Sequence, residues 1–238
     1  MSNSGILVAA DEKLEWLLPW WWNRYSAHNN LPVAFVDFGL SHYGRTFCTE
    51  RGEVIDCPCN LPLFSYTKQG ETIFGKRFEK SWFKKPFACP LTPFETTLWL
   101  DIDCEVLQPL DSLFEREGEI HLAKETDAAI ARDPNIAEGE VLYNSGVILY
   151  HRDSLLIKKW AEAVLEEGSD FWSDQHTLSR VITSENYPIH LLEEKYNWRM
   201  SQGLNIHAAI VHWVGSWGKD YIRHHGGIAE ELAALPKI

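Results

Sequence analysis

Thr96-Thr97-Leu98-Trp99-Leu100-Asp101-Ile102-Asp103-Cys104-Glu105-Val106 is the most strand-like stretch of the chain, and it carries aspartates inside an apolar run. β-Branched, aromatic and leucine side chains suit a pleated, buried surface. Residues two apart on a strand face the same way, so Asp101 and Asp103 are expected side by side, with Glu105 beyond them. Close carboxylates repel; one must take a proton or both must share a cation. Asp-x-Asp is a short pattern, and a half-buried strand with Leu98, Leu100, Ile102, Cys104 and Val106 inward and its acids in water also explains it. A site is favoured by its place near the end of a central strand, where α/β proteins bind ligands.

On the N-terminal side, Ile6–Ala10 reads as a strand that meets a capping Asp11. An apolar-periodic helix is then predicted over Leu14–Tyr25. Trp20-Trp21-Trp22 belongs to it as core rather than as a surface patch, with a kink at Pro19. Val33–Phe38 and Glu53–Asp56 read as further strands. On the C-terminal side, strands are predicted at Ile120–Lys124, Leu142–Tyr150, Ile189–Leu192 and Ala209–Val214. Helices are predicted from Asp153 to Glu167 and, capped by Ser173, to Thr183. Alternation of this kind predicts a single α/β domain with a mostly parallel sheet flanked by helices. Cys59–Phe87 and Thr126–Glu140 fit no period and read as substrate loops.

With 238 residues, 45% of them hydrophobic, the chain is long enough to bury a sizeable core. Its 22 Lys and Arg against 34 Asp and Glu give a formal net charge of −12, a field that repels nucleic acid and acidic membranes. An anionic substrate would then need local lysines or a bound metal. No apolar run spans a bilayer and no basic signal peptide opens the chain, so a cytoplasmic protein is expected, with peripheral membrane contact left open. The five cysteines, including Cys57-Pro58-Cys59, form neither a disulfide framework nor a zinc pattern. His224-His225 reads as solvent-exposed.

Gly70-Glu71-Thr72-Ile73-Phe74-Gly75-Lys76-Arg77 nearly spells a P-loop, but Arg77 replaces the magnesium-binding hydroxyl and Ser65–Gln69 is not an apolar strand. No Gly-x-Gly-x-x-Gly follows the first strand, which sets aside a dinucleotide fold. Tyr143-Asn144-Ser145-Gly146 opens or interrupts an apolar strand, either as a turn with Gly146 as a bulge or to present an amide and a closely approached backbone to a ligand. Ser173-Asp174-Gln175 starts a helix. His212 interrupts the last strand; with Asp101 and Asp103 it would make an oxygen-plus-imidazole set suited to manganese.

In order along the chain, these residues resemble the nucleotide-sugar-dependent glycosyltransferases of the GT-A fold, particularly the retaining family 8 with its glycogenin-like and bacterial lipopolysaccharide galactosyltransferase-like enzymes. Ala9-Ala10-Asp11 resembles the family's uridine-contacting strand end, and Asp101-Ile102-Asp103 its Asp-x-Asp metal site. Asn144-Ser145-Gly146-Val147 is similar to its sugar-lining segment, Asp174-Gln175 to the pair beside the reacting carbon, Tyr196-Asn197 to its later Asn, and His212-x-x-Gly215 to its last metal and diphosphate motif. The resemblance implies a Rossmann-like GT-A domain over 1–238, with a nucleotide part at about 1–110 and a sugar and acceptor part at about 111–238. It implies transfer of a hexosyl group from a UDP-sugar to an acceptor hydroxyl with retention. Mn2+ or Mg2+ would sit on Asp101, Asp103 and His212, with Asp174 and Gln175 catalytic. Ala9, Ala10, Asp11, Lys84 or Lys85, Asp101, Ile102, Asp103, Asn144, Gly215 and Lys219 would hold the donor, and Glu125 would meet a sugar hydroxyl. Two departures stand out. Lys219 lies one residue later than the family's Lys-Pro-Trp lysine, and His176 replaces the second acid of Asp-Gln-Asp. The competing readings are a sugar-nucleotide nucleotidyltransferase and a non-catalytic nucleotide-sugar binding protein.

Overall fold

The computed structural model describes residues 3–57, 65–68, 71–74, 81–131, 133, 136, 140–166 and 173–233. The first half runs β1 (Ser4–Ala10), α1 (Leu18–Ser26), β2 (Val33–Asp37), α2 (His42–Thr49), β3 (Glu53–Asp56), β4 (Ser65–Lys68), β5 (Glu71–Phe74), α3 (Lys85–Ala88), β6 (Thr96–Leu100) and β7 (Cys104–Val106). The second runs β8 (Ile120–Lys124), α4 (Asp127–Ile130), β9 (Tyr143–His151), α5 (Leu155–Glu166), α6 (Asp174–Glu185), β10 (His190–Leu191), β11 (Trp198–Arg199), β12 (Ile210–His212), α7 (Gly215–His225) and α8 (Ala229–Ala233).

The main sheet has seven strands in the order β10-β8-β9-β6-β1-β2-β3. The β1–β2, β1–β6, β2–β3 and β8–β10 pairings are parallel, and β9 runs against both β6 and β8. Its central strands are apolar on both faces because both faces are covered. Ile6, Val8, Leu98 and Leu100 pack with Trp21 and Phe35 on one side, while Leu7, Val36, Trp99 and Ile148 pack with Trp160 on the other. A smaller sheet, β11-β12-β7, lies beyond the end of β6.

Several expectations needed revision. The stretch from Thr96 to Val106 is not one strand: it leaves the main sheet after Leu100, turns with Cys104 N–H donating to the Asp101 carbonyl, and re-enters as β7 of the smaller sheet. Asp101 and Asp103 therefore sit on a turn. Glu105 points elsewhere; it is fully buried, accepts from the backbone of Ile228 and Ala229 and the Trp213 indole, and burial raises its pKa. Asp11 caps neither helix: it accepts from Leu14 N–H in the turn that precedes the 3-10 turn Glu15–Leu17, and α1 begins only at Leu18 with no side-chain cap. Pro19 occupies its first turn, where a missing N–H costs nothing, so it starts the helix rather than kinking it. Trp21 is wholly buried and stacked on Tyr25 at 5.2 Å, as a core reading requires. Ser154, not Asp153, caps α5 by accepting from Ile157 N–H. The Ser173 hydroxyl makes no cap bond; it pairs with His176 instead.

Of the P-loop-like stretch, Gly70 and Gly75–Arg77 lie outside the described residues, as do Pro58 and Cys59 and parts of both expected substrate loops. Glu71–Phe74 pairs antiparallel with Ser65–Lys68, a hairpin rather than a strand entering a helix. Cys48, Cys89 and Cys104 are buried free thiols. Among the described residues no helix is long and apolar enough to cross a membrane.

Candidate active site

Parallel strands deliver their carboxyl ends to one edge of the sheet, and because β9 runs the other way its first residues reach that same edge. There Asp101 N–H donates to the Gly146 carbonyl at 2.8 Å, locking the start of the turn to the Asn144-Ser145-Gly146 segment. Trp213 N–H donates to the Asp103 carbonyl at 3.0 Å, bringing in the end of β12. Asp101, Asp103 and His212 thus converge, with one ligand atom of each within 4.8 Å of the others. His212 Nε2 stands 3.7 Å from Asp101 Oδ2 and 3.5 Å from Asp103 Oδ1. Its ring comes so close to Gly146 that a Cβ there would overlap it. The glycine of this segment is thereby explained by close approach.

Two lysines balance the acids. Lys85, 3% exposed, bonds both carboxylate oxygens of Asp101 and the carbonyl and hydroxyl of Ser145, and lies 3.4 Å from Asp174. Lys219 pairs with Asp103. Burial opposes ionisation of Asp103, but the His212 ring and the Lys219 ammonium prevail and hold its carboxyl well below the usual carboxylate range. Burial also works against the Lys85 ammonium, yet the charges of Asp101 and Asp174 outweigh it and raise its pKa. Asp174 goes the other way: burial, helped by the charge of Asp101, pushes its pKa up despite Lys85.

A cleft of about 90 Å3 opens here. Ala9, Ala10, Asp101, Ile102, Asp103 and Lys219 line it, as does Lys85. Lys84 instead donates to the Phe38 carbonyl at 2.8 Å, and the Asp11 carboxylate accepts from Leu14 N–H in its own turn. Asp174 turns inward, accepting from Ser145 Oγ at 2.8 Å rather than capping its helix. Gln175 is half-buried in the same first turn, and Gly215, at φ +82°, starts α7. Asn144 is buried and held by Glu125, whose other oxygen meets Thr126 N–H and Arg199, so Glu125 is a support within the fold. His176 bridges Ser173 Oγ at 2.7 Å and Asp133 Oδ2 at 2.8 Å, tying the 126–140 loop to α6.

Phe38, Trp82 and Trp99 also line the cleft and were not anticipated. For Trp99 a signal existed: it lies two residues before Asp101, and its indole donates to Asp101 Oδ1 at 2.8 Å. Trp82 falls within the Cys59–Phe87 stretch read from the sequence as a substrate loop, while nothing around Phe38 marks it.

No protein-family model and no curated protein sequence matches the chain. Solved structures do. The galactosyltransferase LgtC, in complex with donor and acceptor sugar analogs, superposes with a TM-score of 0.65 over 98% of each chain at 16% identity. The fold is GT-A. The glycosyltransferase GlyE of Streptococcus pneumoniae TIGR4 shares it with a TM-score of 0.62 over 99% of this chain and 61% of its own, at 17% identity. Mouse xyloside xylosyltransferase 1 does so with a TM-score of 0.55 over 90% of this chain and 97% of its own, at 15% identity. At such identities the common property is the GT-A architecture itself, with its mixed seven-stranded sheet.

Proposed function

We propose that the chain is a metal-dependent glycosyltransferase that moves a hexosyl group from a UDP-sugar to an acceptor hydroxyl, with retention at the anomeric carbon. The observation that carries this is the convergence of Asp101, Asp103 and His212 at the carboxyl edge of the sheet, joined through Lys85 to Asp174. Two carboxylates and an imidazole suit Mn2+ or Mg2+. A bound ion would supply Lewis-acid stabilisation of the charge left on the diphosphate. Ala9 and Ala10 leave room for a nucleotide, and Phe38, Trp82 and Trp99 offer flat surfaces to a base. Lys219 and the start of α7 at Gly215 bring positive potential to an otherwise acidic molecule. Lys85 holds Asp174 in place beside Ser145 while Gln175 remains half-exposed for the sugar.

In this reading residues 1–110 bind the nucleotide and 111–238 supply the sugar and acceptor side. Free thiols at Cys48, Cys89 and Cys104 suit a cytoplasmic location. The Lys219–Asp103 pair favours one rival, a non-catalytic nucleotide-sugar binder, because it occupies an oxygen that a metal would use. A nucleotidyltransferase gains no such support.

Calorimetry with Mn2+ and UDP should show binding that Asp103→Ala largely abolishes in a folded protein. Equal UDP affinity with and without metal in the wild type would contradict the reading. Thermal shifts should favour UDP over GDP, CMP and ADP, since a ligand of the native state alone raises Tm. Turnover on a panel of UDP-sugars separates the enzyme from the binder.

A further inference from the structure

The orientation of His212 is fixed by a chain of hydrogen bonds that begins at a backbone amide. A backbone N–H can only donate, and that of Gly146 lies 2.9 Å from one side-chain atom of Asn144. That atom is therefore the carbonyl oxygen Oδ1. The same oxygen is 2.9 Å from a side-chain atom of Asn197, which must then be the amino group Nδ2. Asn197 is left with Oδ1 facing His212 Nδ1 at 3.1 Å, and an amide oxygen only accepts. His212 Nδ1 thus carries the hydrogen of the neutral ring, and Nε2 turns its lone pair toward Asp101 and Asp103. The far end agrees in direction: Asn144 Nδ2 donates at 2.7 Å to the Glu125 carboxylate, which can only accept when ionised. Asn144, Asn197 and His212 are 2%, 0% and 5% exposed, so little solvent competes for these bonds.

We propose that Asn197 is a positioning residue that sets the tautomer of His212 and so makes Nε2 the metal-binding nitrogen, with Asn144 and Gly146 fixing the orientation of the Asn197 amide. A metal needs an imidazole lone pair, and the wrong tautomer would present an N–H to the cation. The proposal rests on the metal-dependent reading above for its purpose, but not for its geometry.

Ring 15N spectra of the metal-free chain, at a pH well above the ordinary imidazole range, report the tautomer directly; His212→Gln identifies the signal by its loss. The Nδ1–H form is expected, and a predominant Nε2–H form overturns the proposal. Mn2+ affinity supplies the second readout. Asn197→Leu, which removes both bonds, should weaken binding by about 10- to 100-fold, the usual scale for a partner behind a metal ligand. Asn197→Asp keeps the acceptor toward His212 but gives up the donor to Asn144 Oδ1; it should retain the Nδ1–H tautomer and lose less Mn2+ affinity than Asn197→Leu. Unchanged affinity in a folded Asn197→Leu, or loss of the tautomer in Asn197→Asp, overturns the proposal. Should the leucine variant fail to fold, the wild-type and Asn197→Asp spectra still decide. A wild type that binds no Mn2+ removes the metal reading alone, because the tautomer is read without metal.

Discussion

Asp174 shows how a single side chain separates two roles that its position in the sequence leaves open. A residue at a helix start can cap it or be aimed elsewhere, and here the carboxylate faces Ser145 and Lys85 in the interior. Asp174→Asn and Gln175→Ala are expected to lower transfer by ~10²-fold or more while UDP and Mn2+ bind nearly normally, as for groups that matter chiefly in the transition state. Measuring Tm and turnover on the same variants decides; a destabilised but fully active Asp174→Asn would remove the pair from the site. Asp103 carries a pH consequence of definite sign. Its folded pKa lies below its unfolded value, so its contribution to stability is present above about pH 4 and is lost as pH falls through the folded value. Asp103→Asn should therefore flatten the acid limb of a stability–pH curve measured by denaturant titration. A limb of unchanged steepness would show that other carboxylates carry it.

At the level of elements, the sequence exposed most strands and, in the second half, the helices α5 and α6, because hydrophobic periodicity is local information; α7, which holds His224 and His225, was missed. The sequence also concealed the break at Asp101. Leu100, Ile102, Cys104 and Val106 are all apolar and buried whether the chain continues in one sheet or crosses into another; the pattern is blind to the difference. The site residues were visible as polar intrusions into apolar strands. Lys85 was harder to choose over Lys84, since only the packing of α3 decides which of two neighbours faces inward. Gly146 was legible as a close approach but not its partner, which comes from β12. Gly146→Ala should displace the His212 ring, cost about 1–3 kcal/mol as overpacking does, and abolish Mn2+ binding. Retained binding in this variant, followed by calorimetry, would show that the ring has another place to go.

For the whole molecule, an acidic chain that handles an anionic donor has to concentrate its cations, and Lys85 and Lys219 are placed at the one edge where carboxylates also gather. The turn from Asp101 to Cys104 has a mechanical side as well. It is one of three covalent crossings between the seven-stranded and three-stranded sheets, the others running from β7 to β8 and from β10 to β11, and the proposed metal ligands lie on both sides of it, Asp101 at the end of β6 and His212 at the end of β12. An ion held there would act as a rivet between two plates already joined by those connections, by side-chain packing and by the Arg199 bond to the Lys124 carbonyl. Amide hydrogen exchange should then slow on adding Mn2+ most strongly in Trp198–Arg199 and Ile210–His212, and hardly at all in β1 and β2, whose opening is already limited by the buried centre of the large sheet. Uniform slowing along the chain would mean that the two sheets already open as one body, with no seam for a cation to close.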